Sequence, residues 1–307
     1  MSNNIKIIFL GTPDFAVASL KAMVENGMNI VAVVTAPDKP AGRGMKLQQS
    51  AVKKYAVEMN IPVLQPEKLK NPDFLNELKS YQADLQVVVA FRMLPELVWN
   101  MPPLGTINVH ASLLPNYRGA APINWAIING EKMTGVTTFK LQHEIDTGNI
   151  LKQVFVTISD NETAGTLHDK LMIEGAQLLI STISELQEGK LIEKPQVVIS
   201  EYKHAPKLFT ETCLINWNQD LDKVYNHIRG LSPYPAAFTI VNNKKMKIFS
   251  CEKILFSHKH QAGHIQTDNK SFIHFACNDG WIDVKELQLE GKTKMNTADF
   301  LRGNKIN

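Results

Sequence analysis

Asn108 and His110 stand two apart in "GTINVHASLLPNYR", residues 105–118, at the end of an otherwise apolar run. On a β-strand, side chains alternate faces at about 3.3 Å per residue, so the two point the same way, roughly 6.5–7 Å apart at Cα. An amide and an imidazole so placed can hold one substrate atom from two sides. A third group, Asp146 in "EIDTGNI", lies in an Asp-Thr-Gly turn between two apolar runs and can be aimed at the same place. A carboxylate there would orient His110 and favour its charged form, and the trio suits an acyl-type transfer. Asn108 and His110 would hold a carbonyl oxygen as it gains charge while Asp146 directs protons. No nucleophilic Ser or Cys is needed. The same spacing also fits a structural Asn/His pair, and Asp-Thr-Gly by itself also fits a plain turn.

The elements that must position this trio follow from the apolar pattern. "IKIIFLG" predicts a strand ending at Gly11, "TPDFAVASLKAMVENG" a helix through Phe15, Ala18, Leu20 and Val24, and "NIVAVVT" a second strand. "SAVKKYAVEMN" predicts a helix capped by Ser50, and "NPDFLNELKSY" one capped by Asn71 with Pro72 in its first turn. "IPVL" and "DLQVVVA" read as further strands. Continuous Val/Leu strands alternating with helices predict an α/β class, a Rossmann-like, mostly parallel sheet with helices on both faces. The Asn108/His110 strand runs into the irregular "ASLLPNYRGAAPI", which puts the pair near the strand's carboxyl end, where open parallel sheets place their ligand crevice. A short helix in "APINWAIING", two strands flanking Asp146 and a long helix from Thr163 to about Leu186 complete this part. "EGKLIEKPQVVISEYKHAPKL" reads as a polar connector. Beyond it come a helix through Leu221, Val224 and Ile228 and short strands in "AAFTIVN", "KMKIFSCEKILF", "SFIHFAC" and "GWIDVKELQL", which predict a small β-barrel or sandwich. The expected division is residues 1–189, a linker 190–207 and a C-terminal domain 208–307.

Composition narrows the class. With 44% hydrophobic and 21% charged residues over 307 positions, the chain has the make-up of a soluble globular protein. A net charge of +3 permits a nucleic-acid partner without demanding one. Cys213, Cys251 and Cys277 are far apart and form no C-x-x-C pair, so neither a disulfide framework nor a zinc knuckle is expected, and a reducing cytoplasm is the simplest home. The segment "MSNNIKIIFLGTPDF" has no basic n-region, and no run approaches membrane-spanning length, so neither secretion nor a membrane partner is expected. "GTPDF" lacks G-x-G-x-x-G, and no NAD is expected. His258, His260 and His264 lack partners at fixed ligand spacing and read as a solvated loop rather than a metal site.

Taken together, "FLGTPDFAVASL", "NVHASLLPNYRGAAPI", "TGVTTFKLQHEIDTGNIL" and "MNTADFLRG" resemble the 10-formyltetrahydrofolate-dependent formyltransferases, and among them the methionyl-tRNA formyltransferase family, over nearly the whole length. The resemblance implies that Asn108, His110 and Asp146 are the catalytic trio. It implies 10-formyltetrahydrofolate as formyl donor and the α-amino group of initiator methionyl-tRNA as acceptor, with no metal. It implies a folate site along Phe91, Arg92, Met93, Leu94, Ser112, Leu113, Leu114 and Pro115. Here the chain departs from the family's usual Tyr-Gly-x-Ile-Leu-Pro, because Arg92 stands in place of the Gly. The loop "APDKPAGRGMKLQQSAVKK" is similar to the family's tRNA-inserted loop, which points to Lys39, Arg43 and Lys46 as tRNA contacts. The C-terminal domain, with Lys244, Lys245, Lys247, Lys253, Lys259, Lys292 and Lys294, resembles an oligonucleotide-binding (OB-like) barrel. A monomer is implied. Two alternatives share these residues: a folate-dependent N-formyltransferase acting on a sugar nucleotide, and a noncatalytic tRNA- or folate-binding protein.

Overall fold

A computed structural model describes residues 5–41, 46–197 and 201–306. In chain order the first elements are β1 (Lys6–Gly11), α1 (Asp14–Glu25), β2 (Asn29–Val34), β3 (Lys39–Ala41), β4 (Lys46–Gln48), α2 (Ala51–Glu58), β5 (Val63–Leu64), α3 (Pro72–Ser80), β6 (Leu85–Val89), α4 (Glu96–Trp99) and β7 (Thr106–His110). There follow β8 (Arg118–Gly119), α5 (Pro122–Ile128), β9 (Met133–Lys140), β10 (Ile150–Thr157), α6 (Ala164–Gln187), β11 (His204–Ala205) and α7 (Leu221–Leu231). The last are β12 (Ala237–Val241), β13 (Lys244–Ile254), β14 (Ile265–Thr267), β15 (Ile273–Ala276), β16 (Trp281–Leu289), β17 (Met295–Asn296) and α8 (Thr297–Gly303).

The predicted caps form. The Ser50 hydroxyl accepts from Lys53 N–H at 3.0 Å, and the Asn71 side chain accepts from Asp73 N–H at 2.9 Å, each satisfying a donor the first helical turn leaves open. Two compact units result, and they interleave along the chain. The first takes in the chain up to Arg118, Gly135–Val156 and Asp169–Lys203; the second takes in Gly119–Thr134, Thr157–His168 and the chain from His204 onward.

In the first unit seven strands form one sheet in the order β10-β9-β7-β6-β1-β2-β5. The pairs β5–β2, β2–β1, β1–β6 and β6–β7 are parallel, and β9 is antiparallel to β7. The Rossmann-like sheet expected from the apolar pattern is therefore present, with an antiparallel extension on the side that carries Asp146. On one face Ile8, Leu10, Ala32, Val34 and Val88 pack with Phe74 and Leu78 of α3 and Val98 of α4. On the other, α1 closes onto Gly11, where an added Cβ would meet the Ala16 Cβ at 2.6 Å and the Val89 carbonyl at 3.1 Å. Gly11 is thus required by a close helix–strand approach. Helix α6 covers Val109 and Val136 through Gly175, whose added Cβ would lie 3.2 Å and 3.4 Å from them. With Val109 under α6, alternation turns Thr106, Asn108 and His110 to the α3/α4 face.

The second unit is a curled antiparallel sheet ordered β12-β13-β16-β15-β14, with β17 paired to β16. Helix α7 puts Leu221, Val224, Ile228 and Leu231 into a core with Met246, Ile248, Phe275, Ile282, Val284 and Phe300. Burying each such side chain contributes about 1.5–3 kcal/mol. Short β14 and α8, both absent from the sequence expectation, belong to this unit; three to seven residues are too few to show a period. Among the described residues no helix is long and apolar enough to cross a membrane.

Candidate active site

β7 ends at His110, and the loops after β6, after β7 and between β9 and β10 converge there. The Asn108 amide is half-buried and has no hydrogen-bond partner among the described residues. His110 is buried and its ring packs edge-on to Phe139 at 6.4 Å. Its Nε2 lies 2.8 Å from the Tyr117 carbonyl oxygen. A carbonyl only accepts, so Nε2 carries the proton, and in the neutral ring Nδ1 is the lone-pair nitrogen. Nδ1 lies 3.9 Å from Asp146 Oδ2, close but beyond hydrogen-bond length. The Tyr117 carbonyl therefore fixes the ring from its Nε2 side, while Asp146 faces Nδ1. His110 Nδ1 and Asp146 Oδ2 thus face one another across 3.9 Å at the end of β7.

All three loops carry a non-glycine residue in the left-handed region: Ala90 after β6 (φ 47°), Tyr117 after β7 (φ 60°) and Asp146 between β9 and β10 (φ 55°). Each such residue costs about 1–3 kcal/mol and persists only where its surroundings hold it. Around Tyr117 they do. Thr137, opposite His110 across the β7–β9 pair, donates to the Ser112 carbonyl at 2.7 Å and accepts from Leu114 N–H at 3.2 Å and from the Gln153 amide at 2.9 Å. Gln153 also donates to the Leu114 carbonyl at 3.0 Å, and the Ser112 hydroxyl donates to the Asn116 carbonyl at 2.7 Å. Sequence reading missed Thr137 and Gln153. The available signal was a polar residue on each of β9 and β10, the two strands beyond β7, visible only once the strand order and register are known.

Of the expected folate residues, Ser112, Leu114 and Leu94 are buried in the fold, Phe91, Leu113 and Pro115 are half-buried, and Met93 is exposed at 74%. The Arg92 guanidinium donates to the Glu67 carbonyl at 2.8 Å and to the Pro66 carbonyl, which ties the loop after β6 to the loop after β5. Of the expected tRNA contacts, Lys39 is exposed on a hairpin in which β3 and β4 pair Lys39 with Gln48 and Ala41 with Lys46. Arg43 lies outside the described residues, as does the side chain of Lys46. Part of the positive charge of this region is paired locally. Lys53 is bound to Asp38 at 2.6 Å, and hydrogen bonds from Lys53 and Gln65 hold the Asp38 carboxyl below its ordinary range. In the second unit Lys253 pairs with Asp222 at 2.6 Å, Lys294 pairs with Glu286 at 2.7 Å, and Lys245 lies over the Phe238 ring at 4.4 Å. His260 and His264 stack at 4.4 Å beside Trp281, and among the described residues no three His, Cys, Asp or Glu side chains are grouped to hold a metal ion.

The formyl transferase family matches residues 5–183, and the formyl transferase C-terminal domain matches residues 207–305. A methionyl-tRNA formyltransferase of Bacteroides thetaiotaomicron is 53% identical, covering 98% of this chain and 96% of its own. One of Porphyromonas gingivalis is 46% identical, covering 97% and 95%. Among solved structures, WlaRD, a sugar 3N-formyl transferase determined in the presence of dTDP and 5-N-formyl-THF, superposes with a TM-score of 0.68 at 21% identity, covering 95% of this chain and 100% of that one. HypX from Aquifex aeolicus in complex with tetrahydrofolic acid superposes at 0.67 with 18% identity, over 97% of this chain and 47% of HypX. The chain belongs to the formyl transferase family, on its methionyl-tRNA formyltransferase branch.

Proposed function

We propose that this protein transfers the formyl group of 10-formyltetrahydrofolate to the α-amino group of initiator methionyl-tRNA. The observation that carries the reading is 53% identity, over 98% of the chain, to a protein named for that reaction. We place the transfer chemistry in residues 1–189 and acceptor binding in residues 208–307, joined through 190–207, with Lys39, Arg43 and Lys46 engaging the acceptor RNA through its phosphates. The donor is a cosubstrate; no metal and no NAD take part. The chain acts as a cytoplasmic monomer.

Asn108, with its amide otherwise unengaged, donates to the formyl oxygen as negative charge grows there. The attacking amine must be neutral, which is accessible near neutral pH because α-amino groups titrate around 7.7–8.0 and an ester neighbour lowers this. As the amine nitrogen bonds to the formyl carbon, it sheds a proton to His110 Nδ1, the acceptor left open by the Nε2–H bond to Tyr117. Asp146 Oδ2 accepts a second N–H of the same amine and orients it. The bond from the formyl carbon to the donor nitrogen then breaks, and that nitrogen takes the proton back from Nδ1. Phe91 and Met93 supply apolar surface beside this edge of the sheet for the flat part of the donor, and Leu94, Ser112, Leu113, Leu114 and Pro115 shape the loops that hold it. Arg92, bonded to main chain, acts on the loop rather than on the donor.

The test is formylation of initiator methionyl-tRNA by the purified full chain with 10-formyltetrahydrofolate, beside elongator methionyl-tRNA and a UDP-amino sugar. Initiator-selective product is expected. A formylated sugar with no tRNA product would replace this reading by the sugar-nucleotide one, and folate binding without product on any acceptor would replace it by a binding protein.

A further inference from the structure

The segment after α6, which composition reads as a connector, is bonded along both loops that set the trio. Ile150 and Lys194 exchange main-chain hydrogen bonds at 2.8 and 2.9 Å. Two residues on, the Gln196 amide nitrogen donates to the Asp146 carbonyl at 2.8 Å and to the Gly148 carbonyl at 2.9 Å. Its amide oxygen accepts from Arg118 Nε at 3.1 Å and from a terminal nitrogen of the same guanidinium at 2.5 Å. Further along, Lys203 N–H donates to the Asn116 side-chain oxygen at 3.1 Å, and the Lys203 carbonyl accepts from Tyr117 N–H at 2.5 Å. Tyr117 is the residue whose own carbonyl holds His110 Nε2. The Arg118 guanidinium, besides its bonds to Gln196, lies over the Tyr202 ring at 4.9 Å.

We propose that Gln196 is a positioning residue for the transfer reaction, which clamps the Asp146 turn and the Tyr117–Arg118 turn in one register and so sets the His110–Asp146 separation. This rests on the catalytic reading of that trio. The chemistry is specific to a glutamine amide. One end must donate to two carbonyls and the other must accept from a guanidinium, and no other neutral side chain offers both at that reach. The clamped turn needs it, because Asp146 is a non-glycine residue at φ 55°. A misplacement of about 1 Å in such a site can lower the rate about 100-fold without touching substrate.

The test uses the full chain and three variants. Gln196→Ala removes the bonds, Gln196→Met keeps length and bulk without them, and Gln196→Glu puts an acceptor oxygen against the Asp146 and Gly148 carbonyls. Each is expected to lower kcat for initiator methionyl-tRNA about tenfold or more, with KM for both substrates within about twofold and Tm within a few degrees. If Gln196 acts through Asp146, adding Gln196→Ala to Asp146→Asn lowers kcat less than about twofold further. Amide hydrogen exchange over residues 145–149 should quicken in Gln196→Ala, a readout that needs no turnover. Unchanged kcat in Gln196→Ala, a full multiplicative loss on the Asp146→Asn background, or activity lost only together with the fold in all three variants would each overturn the proposal. A wild-type chain that formylates no tRNA while Gln196→Ala still loosens residues 145–149 would count against the substrate assignment alone.

Discussion

At the residue scale, the site depends on which hydrogen-bonding atoms are already engaged. His110 Nε2 is held by the Tyr117 carbonyl, and Ser112 and Thr137 are tied to loop backbone, whereas Asn108 has no partner among the described residues. An amide left open on a half-buried strand end adds little to folding and is placed to act on a ligand. Asn108→Ala is therefore expected to lower kcat about 10²- to 10³-fold while leaving Tm nearly unchanged, read by single-turnover formylation and thermal melting. A variant with wild-type kcat would remove Asn108 from the oxyanion role. Asn108 and His110 were legible in the sequence because a two-residue repeat puts them on one face of any strand. The acceptor on Nε2 was not, since it is a main-chain carbonyl and leaves no side-chain signature.

At the element scale, β7 and β9 work as a pair. Their register places Thr137 opposite His110, and from there one hydroxyl serves the Ser112 carbonyl, Leu114 N–H and the Gln153 amide. Thr137→Val preserves the shape and removes, in a fully buried position, the partner of the Ser112 carbonyl and of Leu114 N–H, while the Gln153 amide keeps its bond to the Leu114 carbonyl. A destabilisation of about 1–3 kcal/mol is expected by urea unfolding, together with a fall in kcat because the loop carrying Tyr117 loosens. Stability within 0.5 kcal/mol of wild type, the range of a bland surface change, would show that the hydroxyl network is not what holds the loop. Apolar periodicity located the strands and the capped helices α2 and α3. The β3–β4 hairpin escaped because three-residue strands carry no period, and "KPAGRGMKL" reads by composition only as a loop.

At the scale of the whole molecule, the second unit sets an acid limit on stability. His227 is held below its ordinary 6.5, first by burial, against a weaker opposing hydrogen bond with the Cys213 main chain; its Nε2 is buried without a partner among the described residues. Burial also lowers His274, opposed by Asp283 at 3.4 Å. A depressed histidine takes up its proton more readily unfolded than folded. The contribution of these histidines is therefore complete above pH 6.5 and is lost as pH falls from there through the folded-state values. The urea midpoint is expected to drop between pH 7.5 and pH 5.5, and His227→Phe should flatten that dependence; an equally steep slope in the variant would assign the effect elsewhere. The three thiols are quiet by the same physics. Burial raises Cys213 and Cys251, and pushes Cys277 up to about 12.

The sequence by itself determined what alternation and local chemistry can carry: a parallel-rich α/β sheet, the caps at Ser50 and Asn71, the shared face of Asn108 and His110, and the small β domain after them. Those features arise from neighbours along the chain, where a period of two or 3.6 and the first helical turn act over a few residues. The tertiary structure alone decided which atoms meet. Tyr117 reaches His110 through its carbonyl, Arg92 is taken up by the carbonyls of the β5 loop, and Gln196 returns from beyond α6 to grip the Asp146 turn. Such contacts join positions far apart in the chain, 50 residues for Gln196 and Asp146, through polar backbone groups that every residue shares, so their partners are set by where packing brings the chain back.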